Sequence, residues 1–484
     1  MGSKPHLKSS RRKRANVEAH GFRDRQDVRE YLKGHEEIAF IRVAYPDILG
    51  ELRDQMFPLI GKKSRLEVLD RFFDNGIGID GSSVTGFREG VNESDLRFMP
   101  EARTFRPLPW AYEGKTLSFS DGSAIAGYPV WREAMIFGHI LDPEGRPFGG
   151  DSRHVLKKFL EEKRGDTFTD FKVGPEFEFY FFFDKDRPTV TDTGTYHIGG
   201  SFGEIRKEVQ MLFPDLGWEC DHHEVGPGQH EVDLEYGDAM DMADRVALIK
   251  YALKRVAKSH GIYASFMPKP MNGEAGSGMH VHQSLWNGSN NLFSDKRARF
   301  GISRLARKYI AGLIAHGRPL AFLCNQYVNS YKRLVPNHEA PTRLVWGSQN
   351  RSAYVRVPED GGRIELRSPD PSLNPWLGFT GMLAAGIAGV EEDLFVPNPV
   401  SENVFQTDEK AVRRAMYGNR REQYRWELPA NLGEAIDAFR ESEVMEYALG
   451  RHMVDALIRE KTLEWESFCS HVTDYETDHY LPRL

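Results

Sequence analysis

Apolar and polar positions alternate through residues 37–58 (EIAFIRVAYPDILGELRDQMFP), which predicts a small sheet near the start of the chain. Residues 66–74 have helical spacing and run into Gly-rich sequence. Pro107, Pro109 and Gly114 punctuate short strands reaching about residue 130. The segment 141–152 (LDPEGRPFGGDS) concentrates Pro, Gly and charge and reads as a linker, with a helix at 153–163 behind it. The aromatic run VGPEFEFYFFF (173–183) predicts a strand. Val246, Ile249, Leu253 and Val256 line one face of a helix over 241–260, closed by Gly261. Asn374 and Pro375 suit an N-cap and first helical position before the apolar stretch from Trp376 to Val390. That stretch is Gly- and Ala-rich and shorter than the roughly 20 apolar residues of a membrane span, so it predicts a helix buried on most sides. From about residue 430 the chain is helical again.

Strands and helices follow one another without a βαβ rhythm, which predicts an α+β protein rather than a doubly wound parallel sheet. The expected organisation is a basic disordered tail over 1–22, a small domain over 23–140 and a large catalytic domain over 141–484. The tail opens MGSKPHLKSSRRKR, with no apolar run of the kind a secretory signal needs. Over 484 residues the formal net charge is −7, a poor balance for a general nucleic-acid binder. Three cysteines, Cys220, Cys324 and Cys469, are too few for a disulfide framework or a zinc cluster and fit a reducing, cytoplasmic setting. Neither a membrane nor a nucleic acid is an expected partner.

Gly76-Ile-Gly78-Ile-Asp-Gly81 matches GxGxxG, but a helix-like stretch precedes it and SSVTGF follows, the wrong context for a dinucleotide turn. The chain has no GxxxxGK[ST] motif, so any phosphate is held by other means.

Four segments carry the chemistry. Period two puts Glu176 and Glu178 on one strand face, roughly 6.6 Å apart, with Phe177 and Phe179 on the other. Two carboxylates side by side repel each other, and a cation between them offsets that cost. HHEVGPGQHEV (222–232) offers Glu224 and Glu231 across a Gly-Pro-Gly turn. GSGMHVHQS (276–284) puts His280 and His282 on one face, and RIELR (363–367) does the same for Arg363, Glu365 and Arg367. Five Glu and one His suit Mg²⁺ or Mn²⁺ rather than zinc, and so much negative charge calls for more than one ion. Arg333, Arg351, Arg356, Arg363 and Arg367 supply guanidinium forks for a polyphosphate and a carboxylate, a route to phosphoryl transfer without a P-loop.

With these motifs the chain resembles the type I glutamine synthetases of bacteria and archaea. The matches run in order through DGSSVTGF (80–87), NESD (92–95), GPEFEF (174–179), HHEVGPGQHE, FMPKP (266–270), GSGMHVHQS, NSYKRLVP (329–336), NRSA (350–353), RIELR and DPSLNP (370–375). The resemblance implies a β-grasp-like N-terminal domain and a catalytic domain on a curved antiparallel sheet, as in the glutamine synthetase and guanido kinase fold. It implies a homododecamer of two hexameric rings with active sites between neighbouring subunits, and a small regulatory protein as a further partner. It implies ATP as co-substrate and two or more Mg²⁺ or Mn²⁺ ions per subunit. One ion would fall to Glu178, Glu224 and Glu231, the other to Glu176, His280 and Glu365. Gly276, Arg333 and Arg367 would bind glutamate. Glu219, His282, Ser284, Arg351, Arg356 and Arg363 would serve ATP. Asp80, Ser83, Tyr196 and Glu224 would bind ammonium, with Asp80 from the neighbouring subunit as base. Asp80, Arg351 and the flap residue Glu339 would be the catalytic set.

Three positions depart from the family pattern. Ala275 stands where the family usually has Asn, Phe405 where the adenylylated subclass has Tyr, and Asp360 where a Lys is expected; the segment around Tyr196 also differs. The implied activity is ATP-dependent ligation of ammonium to glutamate through γ-glutamyl phosphate. The alternatives are a γ-glutamyl ligase for an organic amine such as a polyamine, ethanolamine or methylamine, and a non-catalytic assembly protein of the same fold.

Overall fold

The computed structural model describes residues 21–484, apart from 62, 89–93, 114–116, 119–123, 126–128, 166, 186–191, 197–201, 337–339 and 422. The chain divides into two compact units, residues 1–47 with 51–154, and residues 48–50 with 155–484.

The first unit is built from β1 (Ile38–Pro46), β2 (Leu52–Pro58), β3 (Ile77–Asp80), β4 (Asp95–Pro100), β5 (Arg106–Tyr112), β6 (Leu117–Ser118), β7 (Ala124–Ile125) and β8 (Trp131–Leu141). Six of these strands form one sheet in the order β2-β1-β8-β4-β3, with β5 also on β8. The β1–β8 pair is parallel and the other pairs of this sheet are antiparallel. The helix Arg65–Asn75 lays Phe72 on Phe57 with ring centroids 4.4 Å apart. Phe72 is buried, which contributes about 1.5–3 kcal/mol. Gly76 closes this helix at φ +60°, where a Cβ would stand 1.9 Å from the Phe98 carbonyl oxygen. The GxGxxG match therefore follows a helix and runs through the strand β3, the reverse of a dinucleotide turn.

The segment 141–152 folds back on β8: Phe148 donates its N–H to the Ile140 carbonyl, and the Ile140 N–H donates to Asp151. Here the unit holds a buried charge network. His139 lies 3.3 Å from Glu101 and 3.8 Å from Asp151, and Arg153 lies 3.1 Å from Glu101. Burial pulls the His139 pKa down, but the Asp151 and Glu101 carboxylates outweigh it and raise it above 6.5. A raised folded-state pKa means stabilisation that is complete below the unfolded value and lost as pH rises through the folded one. His139→Gln is expected to lower the melting temperature at pH 6 and to lose that deficit as pH climbs past the folded pKa. A deficit that does not change with pH would show that His139 is neutral.

The second unit is a ten-stranded curled sheet made of β9 (Asp170–Phe182), β10 (Trp218–His223), β11 (Gln229–Leu234), β12 (Gly237–Asp238), β13 (Tyr263–Ser265), β14 (Met279–Asn287), β15 (Asn290–Asn291), β16 (Trp346–Ser348), β17 (Val355–Val357) and β18 (Ile364–Leu366). Its main path runs β10-β11-β9-β14-β18-β17-β16. All pairs are antiparallel except β16–β17, which is parallel, so the expected antiparallel sheet is mixed at one edge.

One face of the sheet, carrying Phe177, Phe179 and Phe181, is fully buried. The helices Ala239–Ser259 and Pro375–Glu391 contribute to that core. As expected, Asn374 caps the second of these by accepting from the N–H groups of Trp376 and Leu377. This helix is buried on every side because glycines let its neighbour come close. A Cβ on Gly389 would stand 2.4 Å from the Gly312 nitrogen, and one on Gly386 would stand 2.1 Å from the Tyr309 ring. Among the described residues no helix is long and apolar enough to cross a membrane. The chain ends in the helices Leu432–Arg440, Glu443–Leu449, Arg451–Ser470 and Asp474–Tyr480.

Candidate active site

The open face of the second unit's sheet is acidic because the neighbouring strands β9 and β11 bring their carboxylates into one register. Glu231 of β11 lies directly across from Glu178 of β9, and Asp233 directly across from Glu176. On the other side of β9, His280 of β14 pairs with Glu176; further out His282 pairs with Glu365 of β18, and Glu365 with Arg356 of β17. Directly opposed residues share a face, so these side chains meet as rows across the sheet. Glu224 joins them from the β10–β11 turn, where His222 Nδ1 is 3.4 Å from Glu224 and His222 Nε2 is 3.6 Å from Glu231.

The carboxylates separate into two electrostatic groups. Burial pushes Glu178, Glu231 and Asp233 upward, and neighbouring carboxylates add to it; Arg333 opposes the rise at Glu178. Glu176 and Glu365 go the other way. Burial pulls Glu176 up, but His280 and His282 outweigh it and hold it well below the usual range. Burial likewise opposes ionisation of Glu365, yet Arg367 and the two histidines bring it to about 2. Burial and the Arg367 charge lower His280 to about 4, which leaves it a neutral imidazole. Neutral imidazole beside crowded carboxylates is a donor set for hard divalent cations, and such a cation would offset the repulsion among Glu178, Glu231 and Asp233. Glu176, Glu231 and His280 have ligand atoms within 4.8 Å of one another, as do His222, Glu224 and Glu231.

The arginines form the wall. Arg333 is buried and donates to the carbonyls of Ser368 (2.8 Å), Pro369 (3.2 Å) and Arg367 (3.3 Å). Arg367 donates to the Arg351 carbonyl and to Glu365, while its Nη2 is buried without a hydrogen bond, a donor held ready for a ligand. Arg356 also donates to Glu365. Arg363 donates through Nε to His282 Nδ1 at 3.2 Å. Arginine only donates, so His282 carries its proton on Nε2 and gives it to Glu176 at 2.6 Å. Asp360 is ion-paired with Arg363, which explains how an acidic residue is accommodated there.

Two cavities flank the acidic floor. One, of about 540 Å³, is lined by Glu219, His282, Ser284, Trp286, Tyr236 and Arg363. The other, of about 330 Å³, is lined by Glu178, Glu224, Ala275, Gly276, His280 and Arg333. In the smaller one, Cβ atoms on Gly276 and Gly278 would press on Arg333 at 2.8 Å and 2.5 Å, so glycine is what lets the guanidinium lie on this loop. The loop keeps its place without a polar side chain at Ala275: Tyr180 donates to the Ala275 carbonyl and Gln229 to that of Gly276.

Tyr196 donates to Glu224 at 3.1 Å and stacks on His222 with centroids 5.0 Å apart. Burial, then the Glu224 charge, pushes its hydroxyl to about 12. Arg351 is exposed on the turn before Ser352. Asp80 and Ser83 belong to the first unit, where Ser83 donates to Asp80 at 2.9 Å. Glu339 lies outside the described residues.

Sequence reading missed four participants. Asp233 follows Glu231 at period two, so its signal was present. His222 was passed over beside Glu224. Gln229, which donates to Glu178 at 2.8 Å, and the Tyr236–Trp286 stack with Lys172 4.3 Å over the Trp286 ring became visible only through strand pairing.

An acidic floor, a wall of arginines and two flanking cavities, without a glycine-rich phosphate loop, are the features of a ligase family that works on carboxylates and phosphates. The chain belongs to the glutamine synthetase family: residues 149–480 match its catalytic domain and residues 37–121 its beta-Grasp domain. A glutamine synthetase of Methanocaldococcus jannaschii is 38% identical over 93% of this chain and 97% of that protein. One from Staphylococcus aureus is 35% identical over 94% and 98%. Among solved structures, a GmaS/ADP complex superposes with a TM-score of 0.79 at 28% identity, covering 94% of this chain and 99% of that one. A Plasmodium falciparum glutamine synthetase shares the fold with a TM-score of 0.79 at 20% identity, covering 95% and 99%. Enzymes of this family use ATP and divalent metal ions.

Proposed function

We propose that this chain joins ammonium to the γ-carboxylate of glutamate at the expense of ATP. The observation that carries this reading is the small anionic corner formed by Glu224, Tyr196 and Glu178 beside the buried Arg333. Such a corner favours a compact cation next to a carboxylate substrate.

The glutamate γ-carboxylate attacks the terminal phosphoryl group of ATP and ADP leaves. Ammonia then attacks the acyl phosphate and phosphate leaves. Arg333 and Arg367 orient glutamate, with Gly276 giving it room. His282, Ser284 and Glu219 bound the nucleotide cavity, and Arg351, Arg356 and Arg363 meet the developing phosphate charge. Mg²⁺ or Mn²⁺ suits the donor set, with Glu178, Glu224 and Glu231 for one ion and Glu176, His280 and Glu365 for another. These ions supply neutralisation of phosphate charge. Asp80, given by a neighbouring subunit of a two-ring dodecamer and held by Ser83, takes the proton from ammonium. The family resemblance gives Glu339 the role of shielding the acyl phosphate from water.

A second reading, ligation of an organic amine, is favoured by one observation: Tyr196 is 59% exposed, which leaves the amine corner open on that side. Phosphate release with glutamate, ATP and a panel of ammonium, methylamine, ethanolamine and putrescine separates the two. Ammonium is expected to show the highest kcat/KM. An organic amine ahead by about tenfold, or about 1.4 kcal/mol of transition-state preference, would overturn the first reading.

A further inference from the structure

We propose that Asp192 is the positioning residue of the amine corner, holding Tyr196 over Glu224 from the opposite face of the β10–β11 hairpin. The inference rests on the amine corner assigned above and names the part that sets its shape.

The loop that carries Tyr196 is in an unusual state. Gly194, Thr195 and Tyr196 have φ of +67°, +60° and +55° in succession. Residues with side chains visit this region singly and at a cost, because the Cβ crowds the following carbonyl. Two of them in a row persist only when the surroundings over-determine them. Here they do. Asp192 Oδ1 accepts from the Gly194 N–H at 3.0 Å and from the Gly228 N–H, in the hairpin turn, at 2.7 Å. One oxygen thus ties the Tyr196 loop to the turn that carries Glu224. The Thr195 N–H donates to the Glu224 carbonyl at 2.8 Å, and the Tyr196 hydroxyl reaches the Glu224 carboxylate. The contact is close enough that a Cβ on Gly194 would stand 2.6 Å from the Val225 and Gly226 carbonyl oxygens.

The other oxygen of Asp192 is 3.4 Å from His223 Nδ1. His223 and His230 oppose each other across the hairpin, their rings tilted with centroids 4.3 Å apart, on the face away from Glu231. Asp192, His223 and His230 bring their ligand atoms within 4.8 Å, close enough to suggest a metal. Arg206 argues against one. It donates to His230 Nδ1, so that imidazole keeps its proton on Nε2 and has no lone pair left to give an ion. The anchor is Asp192 Oδ1, which accepts from both glycine N–H groups, and its load is the strained loop.

The test is steady-state kinetics on wild type, Tyr196→Phe, Asp192→Ala, Asp192→Asn and the double variant Asp192→Ala with Thr195→Gly. Asp192→Ala is expected to raise the ammonium KM about tenfold or more, as misplacing a binding group does, with the KM for glutamate and ATP moving less than about twofold. Asp192→Asn keeps an oxygen for both glycine N–H groups and is expected to recover most of the loss. Thr195→Gly removes the cost of positive φ and is expected to recover part of it. If Asp192→Ala does not fold, Asp192→Glu, which shifts the oxygen by one methylene, is expected to give the same selective rise. The proposal is overturned if Tyr196→Phe raises the ammonium KM and neither Asp192→Ala nor Asp192→Glu does, or if all three KM values rise together. If Tyr196→Phe leaves the ammonium KM unchanged, or wild type prefers an organic amine, it is the assignment of the corner that fails.

Discussion

Glu178→Gln is expected to abolish metal-dependent turnover, by about 10²–10³-fold or more, the scale of losing one electrostatic element of an active site. The metal-free variant is expected to be at least as heat-stable as wild type. Glu178 faces Glu231 across the β9–β11 pair, and burial with carboxylate repulsion outweighs the pull of Arg333 on its charge. Gln removes the charge but keeps an oxygen for the N–H groups of Gln229 and Gly278, which lie 2.8 Å and 3.0 Å from Glu178. The two proteins diverge again when metal is added. A ligand at a hundredfold excess over Kd stabilises by about 2.7 kcal/mol, and only the wild type gains the full effect. Calorimetry with and without Mg²⁺ or Mn²⁺, beside turnover, checks both halves. A variant with wild-type activity, or one whose metal-induced rise in Tm matches wild type, would remove Glu178 from the metal site.

The second large effect concerns Asp80. Its carboxylate accepts from Ser82 Oγ at 2.7 Å, the Ser82 N–H at 3.0 Å and Ser83 Oγ at 2.9 Å, and these bonds, Ser82 first, lower its pKa to about 2. It is therefore an anion at any working pH, suited to drawing in ammonium. Asp80→Asn keeps the local hydrogen bonds and removes the charge. It is expected to lower kcat/KM for ammonium by about 10²–10⁴-fold with Tm unchanged. Asp80→Ala is expected to lose the same activity and, in addition, to lower Tm through the lost turn cap. Mixing tests whether the residue crosses a subunit boundary. Glu178→Gln and Asp80→Asn, each inactive alone, are expected to regain activity when unfolded and reassembled together, since roughly a quarter of randomly formed interfaces would pair two intact contributors. No recovery from a well-mixed assembly would place Asp80 and Glu178 in the same subunit's site, or Asp80 outside the site.

The local patterns in the chain were sufficient wherever a single element carries the information. Period two in VGPEFEFYFFF separates Glu176 and Glu178 from the buried Phe177 and Phe179, because successive side chains of a strand point to opposite faces. Asn374-Pro375 marks a helix start because the carboxamide oxygen accepts from orphan N–H groups within three residues and the proline, with its fixed φ, has no N–H to leave unpaired. The ordered motifs of the glutamine synthetase family likewise survive as local strings.

Pairing was not legible in the same way. Asp233 belongs to the acidic floor only because β11 is registered on β9 with Asp233 opposite Glu176, and a one-residue slip would turn it to the other face. Tyr236 and Trp286, far apart in the chain, become a stacked pair at a cavity wall through the strands around them. The helix Pro375–Glu391 could be read from its composition, but its burial on all sides depends on Gly312, Gly386 and Gly389 allowing backbones to touch. Asp192 shows the same division most clearly. Nothing in TDTGTY sets it apart from a turn residue, and its two backbone donors are 2 and 36 positions away. Short-range sterics and hydrogen bonding were therefore enough to specify the elements and the chemical types at the site. Which carboxylates share charge, which proton sits on His282 and what holds Tyr196 in place were decided by contacts between segments, because electrostatic and packing energies depend on distances that only the folded chain defines.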